Sequence, residues 1–442
     1  LKAFMKAMPV WLKEKLYLKK LIRDALSGLS NRGDGDLPEL LFTTHHQSHA
    51  ASAFFASPYQ DAAVLCLDGV GEWATTSAWI GKDANLKPLW QINFPHSIGL
   101  LYSAFTYYCG FRVNSGEYKL MGLAPYGEPR YADVIRQHLI DIKPDGSFRL
   151  DMSYFNFAAG LTMTSKKFHD LFGAEPREPE SAIKQRDMDL ARSIQIVTEE
   201  IVLLLARKLR QQTGCKNLCL AGGVALNCVA NGRLLDEKVF DQIWVQPAAG
   251  DAGGALGAAY VSWHHYHGEP RNIRDGDMMH GSLLGTEYSD EDIKKILDAA
   301  GAEYTVYQQD ELCKHVADSL SENRVVGWFQ GKMEYGPRAL GSRSILGDPR
   351  SEDMQSTLNL KIKNRESFRP FAPAILKQRC SDWFELASDS PYMLFVTSLN
   401  RTKCNDVEHL DAGGVERLHQ KRSSVPAITH VDYSARVQTV DS

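Results

Sequence analysis

Asn217-Leu-Cys-Leu-Ala-Gly-Gly-Val-Ala-Leu-Asn227 decides the fold class. Asn217 to Ala221 is a short apolar run of the kind that forms a strand buried on both faces. Gly222-Gly223 breaks it, and small residues follow. Upstream, Asp187 to Gln211 carries Leu190, Ile194, Val197, Ile201, Leu204 and Leu205 at three- and four-residue spacing, which predicts a helix. Gly214 lies just past its end, where a left-handed cap is expected. Downstream, Gln242 to Val245 is a second strand, running into Gln246-Pro-Ala-Ala-Gly250-Asp-Ala-Gly253-Gly254 and then a helix from Ala255 to Trp263. Nearer the start, Ala62 to Leu67 and Thr75 to Ile80 form a hairpin about Asp68-Gly69 and Gly71. Strand, glycine loop and helix in repetition predict an α/β fold with ligands at the carboxyl ends of strands.

At 442 residues the chain is long enough for two or three domains. A net charge of −4 gives no overall pull toward nucleic acid or membrane, so neither is expected as a partner. No apolar run reaches the ~18 residues of a membrane span. Eight cysteines are scattered, and the one close pair, Cys215 and Cys219, lacks a second Cys/His pair at zinc spacing. Free thiols suit a reducing, cytoplasmic setting. Leu1 to Leu26 is Lys-rich and amphipathic and reads as a surface helix of a larger domain. The chain ends on the strand-like Val437-Gln-Thr-Val-Asp-Ser442, as a fragment would.

Residues 264–290 are polar and read as a linker or an excursion between domains. Ser289 to Gly301 then begins a second α/β unit as a capped helix, followed by a strand from Val325 to Phe329 and a Gly/Arg-rich loop to Arg350. Helical Leu358 to Lys363 and extended Phe368 to Leu376 come next. The expected division is 1–285 and 286–442.

Three constellations carry chemistry. His45 and His49 are four apart, hence on one helix face, and Asp68 and Asp251 sit in strand-end loops. Two imidazoles and two carboxylates suit Fe(II), Mn(II) or Zn(II); singly, each Asp is as readily a turn residue. Asp68-Gly-Val-Gly71 and Gly222-Gly-Val-Ala-Leu-Asn227 offer backbone N–H groups to phosphate, with Asn227 and Asn231 in reach of ribose or base. A lone Gly-Gly is more often a plain turn. Between Gly336 and Pro373 stand Arg338, Arg343, Arg350, Lys361, Lys363, Arg365 and Arg369, interleaved with Gly, Pro and Phe. Guanidinium forks and ammonium groups there suit phosphates, with a solvated charged face as the alternative.

Together these residues resemble the carbamoyltransferase family of nodulation-factor and antibiotic (aminoglycoside/novobiocin) O-carbamoyltransferases. The carrying motifs are His45-His-Gln-Ser-His-Ala-Ala-Ser-Ala-Phe54, Leu67-Asp-Gly69, Gly116-Glu-Tyr-Lys-Leu-Met-Gly-Leu-Ala-Pro-Tyr-Gly127, Gly222-Gly-Val-Ala-Leu-Asn227, Gly250-Asp251, Gly336-Pro-Arg-Ala-Leu-Gly341 and Arg369-Pro-Phe-Ala-Pro373. The resemblance implies an actin/hexokinase/Hsp70-like (Kae1-like) domain followed by a YrdC-like α/β domain. It also implies two steps: carbamoyl-adenylate forms from carbamoyl phosphate and ATP, and the carbamoyl group then passes to a hydroxyl of a small-molecule or oligosaccharide acceptor. By motif match, His45, His49, Asp68 and Asp251 would bind a divalent metal, Fe(II) in the family. Arg338, Lys363 and Arg369 would be catalytic in adenylation, with Mg(II) accompanying ATP. Arg343 and Arg365 would support the nucleotide there, Gly222, Gly223 and Asn227, with Gly69, would grip the adenylate in the transfer site, and Glu117 and Lys119 would lie on the acceptor side or form a structural ion pair.

Nothing before Leu40 resembles the family's opening β-hairpin, and the chain stops short of its closing Asn-Thr-Ser-Phe-Asn-type stretch. The fold is therefore expected to be truncated at both ends. Tyr433 stands where the family has Gly. A superfamily sugar kinase, or a non-catalytic metal-binding subunit of a carbamoyl-adenylate-using complex, are the alternative readings; a homodimer stays open.

Overall fold

Six of the seven residues of β1 (Asp61–Leu67) are buried, because this strand lies at the centre of a five-stranded sheet. The computed structural model describes residues 2–30, 37–273, 276–405 and 414–441; the predicted domain ends Leu1 and Ser442 fall outside them. β2 (Ala74–Lys82) and β3 (Asn85–Asn93) extend the sheet on one side in antiparallel register. β4 (Ile140–Ile142) and β5 (Phe148–Leu150) make a separate small hairpin. β6 (Asn217–Ala221) and β7 (Gln242–Val245) continue the main sheet in parallel on the other side of β1. Because β1, β6 and β7 run the same way, the loops after them emerge along one sheet edge, bringing Asp68, Gly222 and Asp251 together.

The predicted Asp187–Gln211 helix spans Gln185–Thr213 and ends on Gly214 at φ 66°. The His45–Phe54 helix packs on the sheet and against the Ala252–Val261 helix. That contact is backbone-close: a β-carbon on Gly257 would stand 1.8 Å from the Ser48 carbonyl oxygen. Gly257→Ala is therefore expected to push the two helices apart and destabilise the protein by about 1–3 kcal/mol, read as a lowered thermal midpoint. An unchanged midpoint would contradict this packing.

The described residues of the 264–290 stretch are tied to the rest of the fold at several points. Arg271 donates to the carbonyls of Phe54 (2.7 Å), Ser57 (2.8 Å) and Tyr59 (2.7 Å), Asp277 accepts from Trp244 Nε1 (3.0 Å) and Tyr392 Oη (2.6 Å), and Met279 is fully buried. The segment's polar groups thus satisfy carbonyls at and just beyond the end of the His45–Phe54 helix and the Trp244 indole of β7. Composition alone does not separate that arrangement from a solvated stretch.

Beyond residue 286 the described strands pair only two by two: β8 (Val326–Phe329) with β9 (Arg343–Leu346), β10 (Ala374–Leu376) with β13 (Gln438–Val440), and β11 (Val396–Ser398) with β12 (Ser434–Arg436). Phe368, Tyr392, Leu394, Phe395 and Val431 join the core of the main sheet, while Cys380, Phe384, Leu399, Val425 and Val437 form a smaller cluster. Side chains of this part thus share a core with the main sheet and also form a small cluster of their own. The amphipathic start folds as helices Lys2–Lys13 and Leu18–Ser30, with Trp11 and Leu29 exposed. Among the described residues no helix is long and apolar enough to cross a membrane.

Candidate metal centre and cationic cavity

The His45–Phe54 helix presents His45 and His49 from consecutive turns toward the loop after β1. His45 Nε2 lies 2.9 Å from Asp68 Oδ2, 3.0 Å from His49 Nε2 and 3.5 Å from Asp251 Oδ1. His49 Nε2 lies 3.5 Å from Asp68 Oδ2 and 3.7 Å from Asp251 Oδ1. All four residues offer a ligand atom within 4.8 Å of the others. Ligands at about 2.1 Å in a tetrahedron stand about 3.4 Å apart, so the donor set fits one divalent ion with little movement. The surrounding contacts fix that set. Gly223 N–H donates to Asp68 Oδ1 at 3.1 Å, and the Glu72 carboxylate accepts from His45 N–H at 3.0 and 3.1 Å. The third histidine, His46, is instead hydrogen-bonded to Ser77 Oγ (2.7 Å), and burial pushes its imidazole down to about 4.

Charge is concentrated here. Burial disfavours charge on both groups, but hydrogen bonds from His45 and His49 hold the Asp68 carboxyl well below the usual carboxylate range. Burial likewise opposes charge on His49, yet the Asp251 and Asp68 carboxylates push that imidazole up to about 9. The metal-free protein therefore carries a proton on His49 at pH 7, and an ion must displace it. Metal affinity is expected to rise about tenfold per pH unit from pH 6.5 toward 9, with release of a proton measurable by calorimetry in buffers of different ionisation enthalpy. A pH-independent affinity would contradict this.

Gly222 begins the loop that joins this centre to a second site. Its φ is +88°, and a β-carbon would stand 2.2 Å from the Leu67 carbonyl oxygen, so only glycine fits. Gly223 to Leu226 form one 3-10 turn. At its start Gly223 holds Asp68; at its end the Leu226 carbonyl accepts from Arg338 Nη2 at 3.2 Å. With about 2 Å rise per residue, the two anchor points are about 6 Å apart along the turn.

Arg338 lines a cavity of about 550 Å³ together with Lys363, Arg365 and Arg369, four of the predicted basic residues. Arg192, Arg422 and Arg436 line it too, against one lining carboxylate, Asp432. Burial and the neighbouring Arg369 pull Arg365 down to about 10; burial and Arg338 do the same to Arg436. The Nε atoms of Arg338 and Arg436 are buried without a hydrogen-bond partner. Guanidinium groups clustered at a cavity with a single lining carboxylate are chemically suited to an anion. The three additional arginines escape sequence reading because each is isolated in the chain. Glu334 was also not foreseen: its Oε1 accepts from Leu340 N (2.8 Å) and Ser342 N (2.7 Å), closing the loop that carries Arg338.

The other expected residues stand as follows. Arg343 is not among the cavity's lining residues: its guanidinium lies 3.5 Å over the Phe329 ring and donates to the carbonyls of Gln330, Gly331 and Ser342. Arg350 pairs with Asp348. Asn231 gives its amide protons to the carbonyls of Ala225 and Leu394. Asn227 is held by Gln195 and caps the next helix at Ala230 N. Gly223 lies against Asp68, and Gly69, Gly222, Gly223 and Asn227 are not among the cavity's lining residues, whereas Cys228 and Val229 are. Glu117 and Lys119 do not pair with each other: Glu117 accepts from Ser103 Oγ (2.7 Å), and Lys119 pairs with Glu366. Tyr433 has φ +64°, a left-handed position suited to the Gly of the resemblance.

Residues 1–260 match the family model described as Carbamoyltransferase N-terminus, and residues 317–442 that described as Carbamoyltransferase C-terminus. An uncharacterized protein of Synechocystis sp. is 59% identical over all of this chain and 72% of its own length. Nodulation protein NolNO of Sinorhizobium fredii is 35% identical over 92% of this chain and 55% of its own. Nodulation protein NolO of Bradyrhizobium diazoefficiens is 37% identical over 90% and 67%. The chain thus spans between about half and three-quarters of these relatives. The crystal structure of T. kodakarensis HypF aligns at 16% identity over 52% of this chain and 38% of that one, with a TM-score of 0.28, too distant a likeness to carry an argument.

Proposed function

This chain belongs to the carbamoyltransferase family, and we propose that it supplies both halves of an ATP-dependent O-carbamoyl transfer. In the first half, carbamoyl phosphate, ATP and water give carbamoyl-adenylate, pyrophosphate and phosphate. Arg338, Lys363 and Arg369 hold the polyanions, with Arg365 in support and Mg(II) travelling with ATP. Bringing two polyanions together requires this neutralisation and alignment. In the second half, a hydroxyl of a sugar-containing acceptor attacks the carbamoyl carbon and AMP leaves. His45, His49, Asp68 and Asp251 would hold a divalent ion, Fe(II) by family resemblance, which when bound supplies Lewis acidity for the carbonyl oxygen. Asp68 is held by Gly223 N–H, and Arg338 is tied to Leu226, so one turn keeps the two halves in register.

The observation that carries this reading is the attachment of the four-ligand centre and the cationic cavity to opposite ends of Gly223–Leu226. Incubation with ATP and [14C]carbamoyl phosphate tests it. Labelled carbamoyl-adenylate with pyrophosphate is expected. ADP formed without any need for carbamoyl phosphate would replace this reading with a kinase.

A further inference from the structure

We propose that Trp73 is the stacking platform for a pyranose ring of the acceptor, beside the open side of the metal centre. This rests on the carbamoyl-transfer reading and adds to it the recognition of the acceptor. The centre is closed on one side and open on the other: the His49 and Asp68 side chains are 1% and 11% exposed, those of His45 and Asp251 29% and 81%. An acceptor hydroxyl therefore arrives past His45 and Asp251.

The loop from Asp68 to Trp73 is anchored to that side. A β-carbon on Gly71 would stand 2.9 Å from His45 Cβ and 3.1 Å from its ring, so the loop backbone lies against the imidazole. Glu72 clamps the His45 N–H with both carboxylate oxygens. The next residue, Trp73, has its carbonyl fixed by Phe94 N–H at 2.7 Å. Between those two anchors Trp73 is 68% exposed, and Val70 in the same loop is 40% exposed. Its Cα lies within about 8 Å of that of Gly71, which itself lies against His45.

An exposed indole on an anchored loop that also bears Asp68 leaves most of its apolar area open to a ligand. The C–H face of a pyranose is a fitting partner for the electron-rich indole face. A pre-set platform also binds without an ordering cost. Trp11 and Trp263 are exposed too, but neither sits in a loop that carries a metal ligand.

Two measurements test the proposal. Saturation-transfer NMR with maltose, cellobiose and chitobiose requires no turnover. Pyranose C–H signals are expected with the wild type, retained in Trp73→Phe and lost in Trp73→Ala; equal signals from Trp73→Ala, or none from the wild type, overturn the platform. In carbamoyl transfer to the same disaccharides, Trp73→Ala is expected to raise the acceptor KM at least about tenfold. Carbamoyl-adenylate formation and metal content should stay unchanged. An unchanged acceptor KM overturns the platform while leaving the transfer reading intact, whereas a wild type that makes no carbamoyl-adenylate overturns that reading and leaves the NMR result to judge Trp73.

Discussion

Arg338→Ala is expected to lower carbamoyl-adenylate formation about 10²–10³-fold, the loss usual when a pre-set donor to developing charge is removed. The side chain bridges two demands. One guanidinium nitrogen is tied to Leu226, while Nε is buried without a partner in a cavity lined by six other Arg and Lys side chains. A methyl group there removes a cation facing polyanions and frees the end of the turn that also positions Gly223. Lys363→Ala should act similarly. Burial, with Arg365 and Arg369 nearby, lowers the pKa of the Lys363 ammonium, so bound phosphate would offset a repulsion built into the empty cavity. Pyrophosphate release in the presence of carbamoyl phosphate measures both. Wild-type rates in either variant would remove the cavity from the adenylation step.

His49→Ala is expected to give the opposite pattern: adenylation persists while transfer to a hydroxyl falls at least about 100-fold. Loss of an outer-shell partner alone costs metal sites about 10–100-fold, and His49 is a direct ligand in this account. The side chain is 1% exposed between Asp68 and Asp251, so its removal leaves two carboxylates facing each other with less to neutralise them. Metal content should drop with activity. Asp68→Asn should behave alike, and its Gly223 contact can persist because Oδ1 remains an acceptor. A His49→Ala enzyme that retained metal and transfer would detach the centre from the chemistry.

Much of this arrangement was readable from local pattern. His45 and His49 could be paired because four residues is one helical turn, and the parallel β1, β6 and β7 put Asp68 and Asp251 at one edge, as strand-end loops imply. Spacing does not reveal how a residue is turned. Arg343 stands in the same basic stretch as Arg338, but pairing of β9 with β8 lays it over Phe329 and away from the cavity. Asn231 sits one turn from Asn227, yet its amide bonds to Leu394, far along the chain. Arg192, Arg422 and Arg436 come from three distant segments, so their convergence depends on tertiary packing. Residues 264–290 read equally as a linker or an excursion because carbonyl groups that need donors leave no trace in composition.

The most direct measurement is anomalous diffraction from crystals of the protein grown with Mn(II). One peak is predicted about 2.0–2.3 Å from His45 Nε2, His49 Nε2, an Asp68 oxygen and an Asp251 oxygen. Manganese bound elsewhere, with these four side chains keeping only their mutual hydrogen bonds, would contradict the account.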